Sequence, residues 1–349
     1  MNPIILIPAY NPDETLLSAI EGMRKAGFER FVLIDDGSRP DCRSVFEAAL
    51  AQGGCELVRH AINLGKGRAL KTGFNYILDR YPEAPGAISV DADGQHPPQA
   101  VRSVAQAMER HPGALVLGVR QFFKGKNVPI PNLMGNTITR AVFWLLTGLS
   151  FGDTQCGLRG YPRDVMKAFL PVQGDRFEYE NVMLLHVRIE RIDVAEVPME
   201  AVYIGENTSS NFNRVADSIR IYSHLIGYAA VPLTMALVSL LLFREIRTPA
   251  PGWWPETEVL WAAAACALST LAGWAIMLMW LPGAKFRTGL GTGIASAAVH
   301  GALFALLHAL AGWGSTGSWW LAGLPAAMLS YRLWLYIRHG KKPHRYTQG

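Results

Sequence analysis

The sequence predicts an α/β domain built on a Rossmann-like, mostly parallel sheet with helices on both faces, followed by an all-α membrane domain of four transmembrane helices. Three observations lead to this fold class. Short apolar runs alternate with charged helical stretches over roughly the first two hundred of the 349 residues, as expected for parallel strands joined by helices. Charged residues become scarce after about residue 222. The four apolar segments beyond that point each approach the ~20 residues needed to cross a bilayer.

The alternating part of the chain divides into five predicted strands, each followed by a predicted helix. Apolar residues recur at helical spacing in the stretches between the apolar runs, as at Leu16, Leu17, Ile20 and Met23. The strands are expected at 3–10, 30–38, 55–60, 86–93 and 113–120, and the helices at 13–27, 41–54, 65–81, 98–111 and 132–149. Ligands of such sheets bind beyond the carboxyl ends of the strands, so polar residues at those ends are the candidates for a site.

The second part of the chain is predicted to span a membrane at 222–243, 258–281, 289–312 and 317–337. Lys285 and Arg287, between spans two and three, and the basic residues after span four favour a cytoplasmic location for both segments. The predicted divisions are a cytoplasmic domain 1–212, a juxtamembrane segment 213–221, the membrane domain 222–338 and a cytoplasmic basic tail 339–349. This organisation indicates a multi-pass protein of a bacterial inner or plasma membrane. Buried helices of a large soluble core are the alternative.

Charge and cysteine content argue against several classes of protein. The formal net charge of +5 suits a protein that lies beside anionic lipid and handles phosphates better than one that wraps a nucleic acid. The four cysteines are Cys42, Cys55, Cys156 and Cys266, and they include no C-x-x-C pair. Neither a zinc site nor a disulfide framework is therefore predicted.

The segment "DADGQ", residues 91–95, is a candidate metal site. Asp91 and Asp93 follow an apolar run and would face the same side of a strand that continued through them. Two carboxylates so close together repel each other unless a cation lies between them. Mg²⁺ or Mn²⁺ prefers oxygen ligands, and Gln95 offers a further amide oxygen. The alternative is a turn with solvated acids.

Polar residues also follow the other predicted strands. Asp35 and Asp36 would accept hydrogen bonds from a base or a ribose, or cap the next helix. Lys66 begins a helix whose dipole favours an anion, and an exposed lysine is the alternative. Arg120 would meet a phosphate or point to solvent. The first strand leads into "PAYNPDE" instead of G-x-G-x-x-G, which argues against a dinucleotide-binding domain.

Five segments together resemble family 2 glycosyltransferases of the GT-A fold, and most closely their dolichyl- or polyprenyl-phosphate sugar synthases. The segments are "IPAYN", "VLIDDGS", "NLGKGRALKTGF", "DADGQHPP" and "GDTQCGLRGY", and the resemblance covers about residues 1–225. It implies a nucleoside diphosphate sugar bound by Pro8, Ala9, Tyr10, Asn11, Asp35, Asp36, Lys66, Asp91 and Ala92. It also implies Mg²⁺ or Mn²⁺ on Asp91, Asp93 and Gln95, and catalytic roles for Asp93, Arg120 and Asp153.

The resemblance further implies an inverting transfer of one sugar, from GDP-mannose or a UDP-hexose, to dolichyl or undecaprenyl phosphate. Asp153 would orient the acceptor, act as a base toward a hydroxyl, or cap a turn, while Arg159 is expected to be structural. The amphipathic stretch 132–149 would lie in the membrane interface or form a core helix. The four spans loosely resemble a GtrA-type membrane module. The expected contacts to the acceptor phosphate are Asn136, Arg140, Asn211 and Arg214.

Two other functions stay open. One is transfer to a hydroxyl of a glycolipid or polysaccharide, although the chain lacks the Q-x-x-R-W run that would favour a processive polysaccharide synthase. The other, from a different class, is a lipid-linked sugar carrier or flippase, against which the intact Asp91 and Asp93 argue. The expected partners are a nucleoside diphosphate sugar, polyprenyl phosphate and the membrane, with no nucleic acid. Pairing of two copies into a homo-oligomer is left open by the sequence.

Overall fold

The computed structural model describes residues 2–121, 130–200 and 343–347, together with isolated helical residues between 264 and 302. The predicted juxtamembrane segment 213–221 and almost all of the four predicted spans in 222–338 lie outside the described residues. Within the part of the chain that the structure describes, no helix has both the length and the apolar character needed to cross a membrane.

Strands and helices follow one another in the predicted order. The strands are β1 Ile4–Ala9, β2 Phe31–Asp35, β3 Cys55–Arg59, β4 Gly86–Ser89, β5 Leu115–Arg120, β6 Arg159–Pro162, β7 Val194–Met199 and β8 Arg345–Thr347. The helices are α1 Thr15–Lys25, α2 Arg43–Ala51, α3 Lys66–Arg80, α4 Pro98–Arg110, α5 Ile130–Thr147, α6 Arg163–Phe169 and α7 Glu178–Glu190, and a 3₁₀ turn, Pro40–Cys42, precedes α2. The five predicted pairs of strand and helix are confirmed, with ends that differ by a few residues.

The strands form a mostly parallel sheet. Among the described residues its order is β3-β2-β1-β4-β6-β5-β7-β8. β1 runs parallel to β2 and β4, and β5 runs parallel to β7. β6 runs antiparallel to both of its neighbours, β4 and β5. The mostly parallel sheet is confirmed, and the antiparallel β6 was not predicted. All of these strands belong to one compact unit of the chain.

Helices cover both faces of the sheet. Ile5 and Ile7 of β1 face a core to which α1, α2 and α4 also contribute. Leu6, between them, faces the opposite side, where a Cβ on Gly73 of α3 would lie only 2.2 Å from Leu6 Cδ1. Because side chains alternate along a strand, this contact places α3 on the face away from α1 and α4. The predicted three-layer arrangement is therefore confirmed.

The carboxyl ends of β1, β2 and β4 meet at one edge of the sheet. Ala9 pairs with Asp35 at the end of the β1–β2 ladder, and Leu6 pairs with Ser89 on the β4 side. β4 ends at Ser89, so the predicted strand 86–93 is too long. Val90 N still donates to Leu6 O, but the chain then turns. The loop after β4 therefore positions the two aspartates, and strand alternation does not.

The end of the chain joins the sheet. Residues 345–347, within the predicted basic tail, form β8 parallel to β7, with Val194 opposite Arg345. Val194 N donates to His344 O, which starts this pairing. Nothing in the spacing of apolar residues indicated this strand.

Candidate functional site

A cleft of about 490 Å³ opens at the carboxyl ends of β1, β2 and β4. Nine of the predicted donor and metal residues line it: Pro8, Ala9, Tyr10, Asn11, Asp36, Lys66, Asp91, Ala92 and Asp93. The predicted residues Asp35, Gln95, Arg120 and Asp153 are not among those that line it. Most of the predicted nucleotide site is therefore brought together in one place, and the predicted catalytic residues are only partly there.

The loops that follow β1 and β2 form one wall of the cleft and are tied to each other. Asn11 N donates to Ser38 Oγ over 2.9 Å, and Arg39 N donates to Asn11 Oδ1 over the same distance. Asn11 adopts a left-handed backbone with φ of 51°, a conformation that asparagine tolerates better than most residues. Gly37 also has a positive φ, and a Cβ there would lie 2.2 Å from the carbonyl carbon of Ile62. Only glycine allows this close approach to the segment before α3.

Asp36 organises the segment that leads into α3. Its carboxylate accepts hydrogen bonds from Asn63 Nδ2 and from the backbone N–H groups of Leu64 and Gly65, at 2.7–2.9 Å. His60 Nδ1 lies 2.7 Å from the same carboxylate. Asp36 is almost fully buried, although it borders the cleft. Its oxygens are thus largely used to hold the start of α3 in place.

Asp35 is held inside the same structure. It accepts hydrogen bonds from Ser38 N over 2.8 Å and from Arg59 Nε over 2.7 Å. No side chain caps the 3₁₀ turn or α2, so the helix-capping alternative for the two aspartates is not what these residues do. Both aspartates stabilise the loops around the cleft, and only Asp36 reaches its wall.

Lys66 is the first residue of α3, and it is paired rather than exposed. Its Nζ lies 2.7 Å from Asp91 Oδ1 and 3.1 Å from Glu180 Oε2 of α7, and its side chain is 14% exposed. Burial opposes the positive charge, but Asp91 and Glu180 outweigh it and raise the pKa of Lys66 above its ordinary value. The alternative of an exposed lysine at a helix start is therefore wrong.

Asp91 and Asp93 lie in different electrostatic environments. Burial opposes the charge on Asp91, but Lys66 and His96, whose Nε2 lies 3.2 Å from Asp91 Oδ2, lower its pKa. Burial and the neighbouring Asp91 carboxylate raise the pKa of Asp93. Asp93 Oδ1 accepts a hydrogen bond from Gln95 N over 3.0 Å, which fixes the turn. A bound cation would therefore stabilise the charge on Asp93 more than the charge on Asp91, which Lys66 already compensates.

The donor chemistry of this loop fits a hard divalent cation. Among the described residues, no three or more histidine, cysteine, aspartate or glutamate side chains are grouped to hold a metal ion. Mg²⁺ and Mn²⁺ are commonly bound by one or two carboxylates, with substrate phosphates and water completing the shell. Asp91 and Asp93, which both line the cleft, supply that number of carboxylates. Gln95 does not line it, so its predicted place among the ligands stays a prediction.

A second loop, residues 152–158, packs beneath Asp91 and leads into β6. Ser89 Oγ donates to Gly157 O over 2.6 Å, and a Cβ on Gly157 would lie 2.5 Å from Asp91 Oδ2. Arg159 is fully buried and donates to the backbone oxygens of Cys156, Thr154 and Glu180, at 2.7–3.2 Å. The structural role predicted for Arg159 is therefore confirmed. Its bond to Glu180 O also connects this loop to α7.

Arg120 and Asp153 pair with each other. Arg120 Nε lies 2.6 Å from Asp153 Oδ2, and Arg120 Nη2 lies 3.1 Å from Asp153 Oδ1. Asp153 Oδ1 also accepts a hydrogen bond from Gln155 N, and the aspartate is 2% exposed. In this arrangement Asp153 is engaged on both oxygens and does not face the cleft, so its position fits holding the loop better than accepting a proton.

The two predicted acceptor-phosphate residues that the structure describes also have contacts within the domain. Asn136 Oδ1 accepts hydrogen bonds from Thr154 N and Thr154 Oγ1, and its side chain is almost fully buried. Arg140 Nε donates to Phe151 O over 2.7 Å. These bonds fasten α5 to the loop that carries Asp153. Asn211 and Arg214 lie outside the described residues.

Several residues of the site were missed by the sequence analysis. Glu180 pairs with Lys66, His96 contacts Asp91, and Arg176 and Phe177 line the cleft. Arg176 Nη1 donates to Asn63 Oδ1 over 3.2 Å, so it also reaches the segment before α3. In "RFEYENV" two glutamates, Glu178 and Glu180, begin a helix that continues into the apolar run "VMLL". Buried acids need partners, and that requirement would have marked them.

Parts of the chain are similar in sequence to known proteins. Residues 4–170 match the family model described as Glycosyl transferase family 2. The UDP-N-acetylglucosamine–dolichyl-phosphate N-acetylglucosaminyltransferase of Methanococcus voltae is 23% identical over 215 residues, which are 57% of this chain and 85% of that protein. The undecaprenyl-phosphate 4-deoxy-4-formamido-L-arabinose transferase of Shewanella sediminis (strain HAW-EB3) is 32% identical over 177 residues, 48% of this chain and 50% of that protein.

Solved structures are similar to a larger share of the chain at lower identity. A crystal structure of glucosyl-3-phosphoglycerate synthase from Mycobacterium tuberculosis, in complex with Mn²⁺, UDP-glucose and phosphoglyceric acid, has 17% identical residues and a TM-score of 0.48. The similarity covers 66% of this chain and 80% of that chain.

Proposed function

We propose that the protein transfers one sugar from a nucleoside diphosphate sugar to a polyprenyl phosphate. The match of residues 4–170 to the model of glycosyl transferase family 2 supports this proposal. The transfer inverts the anomeric carbon and depends on Mg²⁺ or Mn²⁺. The donor is GDP-mannose or a UDP-hexose. The membrane domain predicted at 222–338 anchors the enzyme, and its catalytic domain lies on the cytoplasmic side.

One observation carries the proposal: Asp91, Asp93 and Lys66 come together in a cleft at the carboxyl edge of a mostly parallel sheet. A cation bound by the two carboxylates would neutralise the charge that develops on the leaving diphosphate. Three basic side chains, those of Arg39, Lys66 and Arg176, line the same cleft and can meet the phosphates. The chain thus supplies two carboxylates for the metal ion and three basic side chains for the diphosphate.

The state of Asp153 favours an acceptor that is already an anion. A hydroxyl acceptor needs a base to take its proton, whereas a phosphate oxygen needs none. Asp153 is buried and bound on both oxygens, by Arg120 and by Gln155 N, and is therefore a poor base in this arrangement. This supports a lipid phosphate over a hydroxyl of a glycolipid or polysaccharide. Two of the related proteins are named for dolichyl and undecaprenyl phosphate.

The outer surface of α5 supports delivery of a lipid. Ile138, Trp144 and Leu145 are exposed, at 49%, 53% and 39%, while Phe143 is fully buried and packs against Phe151 with ring centroids 5.6 Å apart. Exposed large apolar side chains on a helix that is otherwise anchored suit contact with a membrane or a lipid chain. The acceptor would approach along this helix, whose Asn136 and Arg140 are fastened to the loop of Asp153.

The test is a donor and acceptor panel with the purified full-length chain. UDP-glucose, UDP-N-acetylglucosamine and GDP-mannose are each combined with undecaprenyl phosphate, dolichyl phosphate or a lipid with a terminal hydroxyl, with Mn²⁺ or with EDTA. We expect one donor to be transferred to a polyprenyl phosphate, and EDTA to stop the reaction. Preferred transfer to the hydroxyl lipid would replace the acceptor. If every combination fails while the protein moves lipid-linked sugar across vesicles, the carrier function would be supported instead.

A further inference from the structure

We infer that Lys66 is a resident counter-ion of Asp91 that a divalent cation must displace, and that displaced Lys66 then pairs with the diphosphate of the donor. Cation and nucleotide are thereby made to bind together. The inference rests on the proposed function, because it concerns the same cleft. It assigns to Lys66 and Glu180 a role in the order of binding that is distinct from simple contact with substrate.

The pairing leaves no charge on Asp91 uncompensated. Lys66 Nζ lies 2.7 Å from Asp91 Oδ1, and His96 Nε2 lies 3.2 Å from Asp91 Oδ2. Gly157 closes the remaining side, since even a Cβ there would lie 2.5 Å from Asp91 Oδ2. A cation that takes Asp91 Oδ1 would stand beside the ammonium group, and two positive charges at contact distance repel strongly in a partly buried site. Lys66 must therefore move away when the cation binds.

Glu180 gives Lys66 somewhere to go. Glu180 Oε2 already lies 3.1 Å from Lys66 Nζ, and in the described structure its other oxygen, Oε1, is buried without a hydrogen-bond partner. An ammonium group has three donors, so Lys66 can keep Glu180 while it turns from Asp91 toward the cleft that it lines. Buried oxygens without partners are costly, which makes Glu180 Oε1 a ready acceptor for this movement.

Binding of the two ligands is consequently coupled. Without nucleotide, a cation must break the Lys66–Asp91 pair, and the ammonium group keeps only its contact with Glu180. With nucleotide, the ammonium group gains the diphosphate, so the cation meets less opposition. Coupling between sites is reciprocal, and the nucleotide should in turn bind more tightly when the cation is present. Part of this coupling comes from direct contact of cation and phosphate, and the part due to Lys66 is what variants can separate.

Mn²⁺ binding, followed by electron paramagnetic resonance on the full-length chain, measures this part without any turnover. In the absence of nucleotide, we expect Lys66→Met to tighten Mn²⁺ binding about tenfold, within the usual range of coupling between sites. Glu180→Gln should change Mn²⁺ binding in the opposite direction, because Lys66 then has less reason to leave Asp91. Lys66→Met should also weaken UDP or GDP binding when Mn²⁺ is present.

Arg176→Met is the matched control for the general effect of charge. Arg176 lines the same cleft but bonds to Asn63, and not to Asp91. If loss of a positive charge were all that mattered, both variants would tighten Mn²⁺ binding equally. We expect Arg176→Met to tighten it less than about threefold, as befits a screened charge that is not in contact with the ligand. Equal tightening in the two variants would overturn the inference.

Folding and the proposed function are checked separately. Removing Lys66 leaves two acids without their cation, so circular dichroism and thermal melting accompany every titration. Should Lys66→Met fail to fold, the double variant Lys66→Met, Glu180→Gln removes one acid with the lysine and should again bind Mn²⁺ more tightly than the unchanged chain. If the unchanged chain binds no Mn²⁺ even with UDP or GDP, the proposed function fails. If it does bind, but neither lysine variant tightens binding, only the inference about Lys66 fails.

Discussion

Asp93 carries a carboxylate whose burial and whose proximity to Asp91 both oppose its negative charge and raise its pKa. We predict that Asp93→Asn lowers sugar transfer at least about 100-fold, since a bound metal ion contributes several kcal/mol to such reactions. The melting temperature should stay the same or rise, because the repulsion from Asp91 is removed. Transfer rates with Mn²⁺ and thermal melting of the same preparation check both parts.

The matched control is Asp164→Asn. Asp164 is an acid of α6 whose side chain is 90% exposed and whose ion pair with Lys167 is also exposed. Surface pairs of this kind contribute little to stability, so neither melting nor transfer should change measurably. Transfer by Asp93→Asn at a rate near that of the control, with normal dependence on Mn²⁺, would show that Asp93 does not hold the metal.

The sequence predicted which single residues near strand ends belong to the site, but it did not predict which residues pair with each other. The family resemblance assigned Asp91, Asp93 and Lys66 to one site, in agreement with their places at a strand end and a helix start, and all three line the cleft. The pairing of Arg120 with Asp153 joins residues 33 positions apart, and the pairing of Lys66 with Glu180 joins α3 to α7. Periodicity carries no information on such distant contacts, so these partners could not be predicted.

Among the elements, the short strand β6 could not be predicted from the sequence pattern. Its four residues, Arg159–Pro162, include a glycine and a proline, which are both depleted in strands. It lies between β4 and β5 and pairs antiparallel with both. Gly160 is needed there, since a Cβ would lie 2.6 Å from Met108 Sδ of α4. Longer amphipathic elements such as α3 and α4 were predicted because their apolar faces repeat over several turns.

The close packing of the loop before β6 against Asp91 can be tested at Gly157. We predict that Gly157→Ala weakens Mn²⁺ binding and lowers stability by about 1–3 kcal/mol, the usual cost of overpacking. The added Cβ would lie 2.5 Å from Asp91 Oδ2, so the carboxylate would have to turn away from Lys66 and His96. Denaturant unfolding and Mn²⁺ titration measure the two effects.

Gly135→Ala is the corresponding control in α5. A Cβ on Gly135 would lie 3.2 Å from Gln155 Nε2, the end of a flexible side chain that can shift. Alanine is also the better helix former, so stability should be unchanged or slightly higher. If Gly157→Ala behaved like this control in both measurements, close packing beneath Asp91 would not matter for the cation.

The sheet as an assembly is wider than the sequence predicted. Five parallel strands were expected; among the described residues they run from the edge strand β3 to β5, with the antiparallel β6 inserted between β4 and β5. β7 and β8 extend it, and β8 comes from a segment far along the chain from its neighbour. The predicted order of strands and helices could not reveal this pairing, because a three-residue strand has too few positions to show alternation. Tyr346 of β8 is partly buried against the core, and its ring stacks on His111 with centroids 4.2 Å apart.

β8 is connected to the loop of Asp153 through one buried carboxylate. Arg345 Nη2 lies 2.5 Å from Glu196 Oε2, and Glu196 Oε1 accepts a hydrogen bond from Gly152 N over 2.8 Å. Glu196 is 6% exposed, and Arg345 is the basic partner of this buried carboxylate. The end of the chain therefore helps to hold the residue that precedes Asp153.

We predict that Arg345→Ala destabilises the domain by about 1–2 kcal/mol, less than for a fully buried pair because the arginine is partly exposed. The melting temperature should fall by about 3–6 °C for a domain of this size. Hydrogen exchange of the peptide that contains Gly152 should become faster. Without Arg345, the Glu196 carboxylate is no longer held in place as the acceptor of the Gly152 N–H group. Arg345→Lys should restore most of the stability, and Arg30→Ala, which breaks an exposed pair with Glu83, should change it little. Unchanged exchange around Gly152 in Arg345→Ala would mean that β8 closes the edge of the sheet without acting on the loop of Asp153.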